Sequence, residues 1–180
     1  MLGKLILKDG SEFEGQSFGY EEARSGELVF STGMVGYPES LTDPSYEGQI
    51  LVSTYPIIGS YGVPDKKYWE SSRIHVSGLI VSQYIDTPSH FQGKMTLREW
   101  LKKEKVPGLM IADTRYLTQK LRDGGAQLAK IIFDTSTEFT PSEAEGLSMS
   151  FEDPNERNLV VDVSTPGVSR EGKGNKTIIL

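Results

Sequence analysis

The chain has 180 residues, a formal net charge of −6 and 37% hydrophobic residues, which indicates one globular domain with a short extension. The chain has 19 Lys and Arg, 25 Asp and Glu and no long basic block, so nucleic acid is not a predicted partner. No apolar run approaches the roughly 18 residues of a membrane span, so a membrane is not a predicted partner either. With no cysteine and two histidines, the chain cannot form a disulfide, a thiolate metal site or a cysteine nucleophile, and no metal site is expected.

The N-terminal segment predicts a β-hairpin. Residues 4–8 and 11–14 form its strands, because the Asp9-Gly10 dipeptide between them tolerates the positive φ of a tight turn. Most later strands are apolar runs rather than alternations, which is typical of strands covered on both faces. These strands are predicted at residues 27–31, 49–53, 74–82, 109–112 and 127–133.

Residues 32–62 are rich in glycine, proline and tyrosine. One interpretation is a well-packed surface loop in which glycines make turns and tyrosines cover apolar surface. The other is a binding loop of fixed shape. In both cases residues 41–46 are the most constrained part, because Asp43 precedes Pro44 and must be extended.

Two helices have clear end signals. Thr96 and Glu99 form a capping box for a helix that ends before Val106-Pro107-Gly108. A second helix begins with Asp113 or Thr114 as its N-cap and stops at residues 123–125, and its position between two strands predicts a parallel β–α–β crossover. The Asp113-Thr114-Arg115 turn has two interpretations, an ordinary cap or an anion site made by the helix N-terminus and Arg115.

The C-terminal part has a different character. Residues 140–143 resemble the start of a short helix with proline at its first position. After residue 148 the sequence is polar and rich in turn formers, which indicates a linker. Residues 177–180 read as the start of a buried strand, so we expect a longer parent polypeptide, with one domain over residues 1–148 and a linker plus the first strand of another over residues 149–180.

One short motif indicates a possible hydrolase. Residues 15–19 fit the G-x-S-x-G nucleophile elbow, with Ser17 as nucleophile, His75 or His90 as base, and Asp43, Asp65 or Asp86 as the acid. An elbow needs a strand-to-helix turn, whereas polar residues and another strand follow here. A small serine hydrolase therefore stays an alternative.

Several longer strings occur together in one order. They resemble the N-terminal domain of the small, glutamine-handling subunit of carbamoyl phosphate synthetase, and the resemblance runs from Lys4 to about Phe133. Residues 70–72, 87–90 and 153–155 are more similar to the eukaryotic fused enzymes, including the pyrimidine-pathway polypeptide. Ala112 departs from the pattern, where Ile or Val is expected. The strings are residues 26–30, 32–39, 41–46, 54–59 and 113–118.

The resemblance implies a fold and a setting. The fold is an α/β domain, a three-layer β/β/α arrangement of the swivelling type with a mixed sheet and crossover helices. In the family, a class I glutaminase domain follows, whose cysteine attacks glutamine and releases ammonia for a large synthetase part that uses ATP with Mg²⁺. Because this chain has no cysteine, we expect it to be inactive alone and to act as a docking and positioning module within the ligase.

The resemblance also implies one site residue. The serine of the Asp-Pro-Ser-Tyr string reaches the glutamine pocket of the neighbouring domain in this family, and its counterpart is Ser45. No catalytic residue, cofactor or metal ligand is expected in this chain. The expected partners are the glutaminase domain and the synthetase part, in the cytoplasm or an organelle. A pyrimidine or an arginine and urea pathway, the oligomeric state, and a stand-alone interaction module are left open.

Overall fold

A computed structural model describes residues 1–90, 93–133 and 149–164 of the protein. It shows a mixed α/β fold, as the sequence predicts. The helices are α1 (Tyr37–Thr42), α2 (Leu97–Lys103), α3 (Thr114–Gly124) and α4 (Leu159–Val163). The strands are β1 (Leu2–Leu7), β2 (Glu12–Ser17), β3 (Arg24–Ser31), β4 (Gln49–Ser53), β5 (Ile57–Ile58), β6 (Gly78–Val81), β7 (Gln83–Tyr84), β8 (Gly108–Met110) and β9 (Gln127–Phe133).

Seven of the strands close into a barrel. Their order around it is β1, β2, β8, β6, β4, β3 and β9, while β5 and β7 form a separate parallel pair. The neighbours β3, β4, β6 and β8 are parallel to one another, and the remaining pairings of the barrel are antiparallel. The three-layer β/β/α arrangement of the swivelling type stays a prediction.

Two apolar cores lie on opposite faces of the central strands, because successive side chains of a strand point in opposite directions. Burial on both faces explains why residues 50–52 of β4 and 79–81 of β6 are continuous apolar runs. The outer core is covered by α1 and α2 through Leu41, Leu97 and Trp100, each fully buried. The inner core contains Ile50, Val52 and Ile80, and the outer core contains Leu51, Leu79 and Val81.

Helix α3 lies at the end of the barrel where β8 finishes. Leu117 and Leu121 of this helix belong to the inner core, so α3 covers that opening. The chain then enters β9 from the same end and pairs antiparallel with β1 and β3. The predicted parallel crossover is therefore wrong, because α3 caps the barrel instead of crossing its outer face.

Other differences concern element bounds and one missed helix. The strand predicted over residues 74–82 is confined to β6, and the predicted loop over residues 32–62 contains α1. The predicted linker holds a 3₁₀ turn, Pro154–Glu156, and α4. The helix start at residues 140–143 and the strand at residues 177–180 lie outside the described residues. In the ranges that are described, no helix is both long enough and apolar enough to cross a membrane.

An ion pair joins the first hairpin to α3. Lys120 Nζ lies 2.7 Å from Asp9 Oδ2, and the backbone N–H of Ser11 donates to Asp9 Oδ1 at 2.9 Å. The hydrogen bond from Lys120, followed by those from Ser11, lowers the pKa of Asp9 from 3.8 to about 2. The charged form of Asp9 is therefore favoured in the folded protein.

We expect Asp9→Asn to lower the free energy of unfolding by less than about 1 kcal/mol at neutral pH, because solvent reaches both side chains of the pair, which are 37% and 23% exposed. Asn-Gly also suits the tight turn, so the hairpin is kept. Since the folded pKa is the lower one, the difference from wild type should be complete above the ordinary pKa of 3.8 and shrink as the pH falls toward about 2. Urea unfolding across this pH range measures it. Asp123→Asn is the control for loss of one surface charge, and an equal effect of both variants would contradict the prediction.

Candidate functional site

Ser45 lies on an exposed turn directly after α1. The turn is the 3₁₀ segment Pro44–Tyr46, in which Asp43 Oδ1 accepts the backbone N–H of Ser45 at 2.8 Å. Pro44 removes one backbone torsion from the turn's freedom. Within the described ranges, the Ser45 hydroxyl makes no hydrogen bond, so it can donate to and accept from a ligand.

His75 holds the chain on both sides of this turn. Its backbone N–H donates to Leu41 O at 2.9 Å, and its carbonyl accepts the N–H of Gly48 at 3.3 Å. Its buried ring also bonds through Nδ1 to Glu47 Oε2. Residues before and after Ser45 are thus tied to one residue, His75, through its backbone and its ring. We call Glu47, Ser71, Arg73 and His75 the histidine clamp.

The clamp has the order of an acid–histidine–serine triad. His75 Nε2 lies 2.8 Å from Ser71 Oγ, and the Ser71 hydroxyl also lies 3.1 Å from the carbonyl of Arg73. The His75 nitrogen that faces the Glu47 carboxylate must carry a hydrogen, so in a neutral ring Nε2 is an acceptor, and it competes with the Arg73 carbonyl for the single Ser71 hydrogen. Arg73 Nη2 lies 3.1 Å from the same Glu47 oxygen. These contacts give the residues 70–73 a structural role.

A second contact ties this segment to the end of α1. Thr42 is fully buried, and its hydroxyl donates to Pro38 O at 2.8 Å. The same Oγ1 accepts the backbone N–H of Glu70 at 3.0 Å. The turn that carries Ser45 is therefore held at its start by Thr42 and at its end by the histidine clamp.

The four tyrosines of the loop serve packing. Tyr37 is buried in the outer core, and the partly buried Tyr46, Tyr55 and Tyr61 pack against this core. Tyr61 Oη accepts the N–H groups of Gly36 and Tyr37 at 2.9 and 3.2 Å and so caps α1. Burial raises the pKa of both Tyr37 and Tyr61, so both phenols stay neutral at physiological pH.

The structure does not match the predicted nucleophile elbow. Ser17 ends β2 and is 8% exposed, and the chain continues into β3 without a helix. The two glycines of the motif have a packing reason instead. A Cβ on Gly15 would lie 2.4 Å from Met110 O, and one on Gly19 would lie 2.3 Å from Gly108 N. His75, a proposed base, is engaged in the clamp.

Each of the other residues singled out as a possible site residue caps a helix or turn, contacts another side chain or is exposed. Asp113 is the N-cap of α3, because its Oδ1 accepts the N–H of Tyr116 at 2.8 Å. Arg115 is exposed beside it. Asp65 caps a 3₁₀ turn, Asp86 pairs with Arg98, and the ring centroid of His90 lies 6.4 Å from that of Tyr61. The described ranges hold no group of three His, Asp or Glu side chains suited to a metal ion.

Sequence comparison identifies related proteins. The model of the family described as "Carbamoyl-phosphate synthase small chain, CPSase domain" matches residues 5–131. Multifunctional protein URA2 of Saccharomyces cerevisiae is 48% identical over 180 residues, which cover 91% of this chain and 8% of that protein. A mitochondrial carbamoyl-phosphate synthase of Mus musculus, whose name specifies ammonia, is 44% identical over 185 residues, covering 98% of this chain and 12% of that protein.

The relatives are much longer than this chain. The chain spans about a tenth of the length of the curated relatives it matches. Among solved structures, an aminopeptidase from Aneurinibacillus sp. strain AM-1 is similar over 72% of this chain and 30% of its own. The sequence identity is 16% and the TM-score is 0.43. The predicted resemblance to fused eukaryotic enzymes is confirmed by the multifunctional relatives.

Replacing the clamp histidine tests its structural role. We expect His75→Phe to lower the free energy of unfolding by about 2 kcal/mol, because the ring volume remains while the partly buried Glu47 and Ser71 lose a partner. Arg73→Gln is the matched control, and it should cost less than about 1 kcal/mol because the Arg73 side chain is 46% exposed. Urea unfolding of both variants measures this difference. Equal losses would show that His75 is not the centre of the clamp.

Proposed function

The chain belongs to the carbamoyl-phosphate synthase small chain family, as its CPSase domain, and from this premise we propose that it is the N-terminal docking and positioning domain of a glutamine-hydrolysing carbamoyl phosphate synthetase. In this proposal a glutaminase domain and a large synthetase part are its partners. The ligase chemistry, with ATP and Mg²⁺, belongs to the synthetase part. This chain contributes one hydroxyl and a rigid surface.

The observation that carries the proposal is the geometry around Ser45. An exposed, unpartnered hydroxyl stands on a turn held by Asp43, Thr42 and the histidine clamp. A ligand that bonds to a preorganised hydroxyl loses less conformational entropy than one that must order a loop. We assign to Ser45 a contact with glutamine bound in the neighbouring glutaminase domain.

The segment after the domain supports this arrangement. Pro154 lies against Gly48, where an added Cβ would be 2.8 Å from Pro154 Cβ, and the N–H of Glu152 donates to Ser25 Oγ at 3.1 Å. The residues that lead away from the domain therefore pack next to the Ser45 turn. A glutaminase domain connected through this segment would begin its path beside Ser45.

The finer fold assignment is also a proposal. We propose that the barrel, with α1 and α2 covering one outer face, is the three-layer β/β/α domain of the swivelling type. The two opposite sides of a flattened barrel would supply the β layers, and the helices over the outer core the third. The separate cores on the two faces of β4 and β6 support this division.

The nitrogen source and the pathway need separate tests. One relative's name specifies ammonia, while others are multifunctional proteins, so the family match is compatible with more than one setting. We propose glutamine because the Ser45 hydroxyl is exposed on a turn that hydrogen bonds hold in place. Pyrimidine or arginine and urea synthesis, and a cytoplasmic location, stay predictions.

Reconstitution tests the docking role. The 180-residue chain alone should neither hydrolyse glutamine nor make carbamoyl phosphate, because it has no cysteine nucleophile. When it is added to separately expressed glutaminase and synthetase parts, glutamine-dependent carbamoyl phosphate synthesis should appear. Absence of any effect would remove the docking role and favour a stand-alone interaction module.

Steady-state kinetics of the complete enzyme test the role of Ser45. We expect Ser45→Ala to raise the KM for glutamine about three- to tenfold, the value of one lost hydrogen bond, with kcat little changed. Ammonia-dependent synthesis should be unaffected, since ammonia bypasses the glutamine site. Ser72→Ala removes another exposed hydroxyl and is the control. An unchanged glutamine KM would contradict the assignment.

A further inference from the structure

A second, separate site is indicated at the end of the barrel that α3 covers. A cavity of about 450 Å³ opens there, a volume within the range of small-molecule pockets. It lies near the carboxyl ends of the parallel strands β4, β6 and β8, beside the N-terminal half of α3. Ligand sites of α/β proteins commonly lie at the carboxyl ends of parallel strands, in open sheets and in barrels alike. Its lining residues include Thr54, Ser82, Thr114, Arg115, Gln119 and Arg122.

The charge of this cavity is positive. Two arginines line it and no Asp or Glu does, although the whole chain carries a net charge of −6. In the described part of the chain, Arg115 makes no ion pair and no hydrogen bond, and it is exposed. Arg122 pairs only with its neighbour Asp123, in a contact at 3.0 Å that is 66% and 70% exposed. Such an exposed pair leaves Arg122 able to exchange partners.

Thr114 gives an independent indication of a ligand. It is 4% exposed and lines the cavity, yet its hydroxyl has no hydrogen-bond partner among residues 1–90, 93–133 and 149–164. The Thr114 hydroxyl oxygen is not among the fully buried, unbonded side-chain atoms of the described residues, so solvent or a ligand in the cavity can reach it although the rest of the side chain is buried. The other hydroxyls of the lining donate their single hydrogen elsewhere: Thr54 to Ser31 O, Ser82 to Pro56 O and Thr118 to Thr114 O, at 2.8 to 3.0 Å. Thr114 alone has an uncommitted hydrogen.

The start of α3 adds backbone donors. The helix has 11 residues, and the N–H groups of Thr114 and Arg115 precede the first bonds that a helix makes within itself. The carboxylate of Asp113 also lies at this end, but it accepts from Tyr116 N and does not line the cavity. Free N–H groups and the helix dipole favour an anion at this position.

We propose that this cavity binds a small phosphate-bearing ligand through its oxyanion. Arg115 supplies a guanidinium fork, the Thr114 hydroxyl donates one hydrogen bond, and the first N–H groups of α3 face the same anion. A phosphate monoester fits this set better than a carboxylate, because it has three terminal oxygens instead of two and can accept from all three kinds of donor while Arg binds two of those oxygens. The glutamine contact at Ser45 is not needed for this site.

Nuclear magnetic resonance of the ¹⁵N-labelled 180-residue chain tests the proposal. Inorganic phosphate, phenyl phosphate and acetate are titrated separately up to about 10 mM at one ionic strength, which keeps screening constant. We expect saturable shifts of the amide signals of Thr114, Arg115 and Ser82 with both phosphates and weaker binding of acetate. Tighter binding of phenyl phosphate than of inorganic phosphate would identify a phosphate monoester as the ligand class, and the reverse order would identify the free ion.

Matched variants locate the binding groups. Arg115→Gln should weaken phosphate binding about tenfold, the value of one charge-assisted bond. Thr114→Val should weaken it while Thr114→Ser, which keeps the hydroxyl, should not. Lys103→Gln removes a positive charge outside the cavity and should have no effect.

Several outcomes would overturn the proposal. These are the absence of saturable shifts, shifts confined to residues outside the cavity, acetate binding as tight as phosphate, or equal effects of Arg115→Gln and Lys103→Gln. Because Arg115 is exposed, its replacement should leave the dispersion of the spectrum unchanged, and loss of binding then reports the site rather than unfolding.

Discussion

The pairing of β9 with both β1 and β3 closes the sheet, and the rest of the structure depends on that closure. A closed barrel has an interior, and residues 50–52 of β4 and 79–81 of β6 contribute to both the inner and the outer core, so these stretches are apolar. Helix α3 covers one opening of this interior with Leu117 and Leu121. The outer faces of the same strands then need α1 and α2, and the chain between α1 and β4 becomes the turn of Ser45.

The two candidate sites use different parts of this frame. The Ser45 turn lies on the side of the outer core, where the backbone of Glu70 and the ring of His75, each 28 residues after its partner in the chain, anchor it. The α3 cavity lies at the carboxyl ends of the parallel strands, where backbone donors and arginines meet. In our proposals, the first surface meets another domain and the second holds a small phosphate-bearing molecule.

The sequence predicts best those features that residues close together in the chain form among themselves. The Asp9-Gly10 hairpin, the capping box at Thr96 and the Asp113 cap are made by neighbours in the chain, and each is confirmed. Helix α1 was missed because Tyr61, 24 residues away, caps it, and Gly36 at its start has a φ of 84°. The direction of β9 depends on where α3 docks, and the role of His75 depends on three distant groups. Ser45 itself was found through the family resemblance of its string, not through its chemistry.

The histidine clamp also constrains how the chain can change over time. Glu47 and His75 lie 28 positions apart, and the loss of either would leave the other in a largely buried place with one polar partner fewer, Arg73 remaining for Glu47 and Ser71 for His75. Removing one member of such a pair costs more than removing both. Related sequences should therefore retain the two residues together or replace them together, because a double substitution would cost less folding stability than either single one.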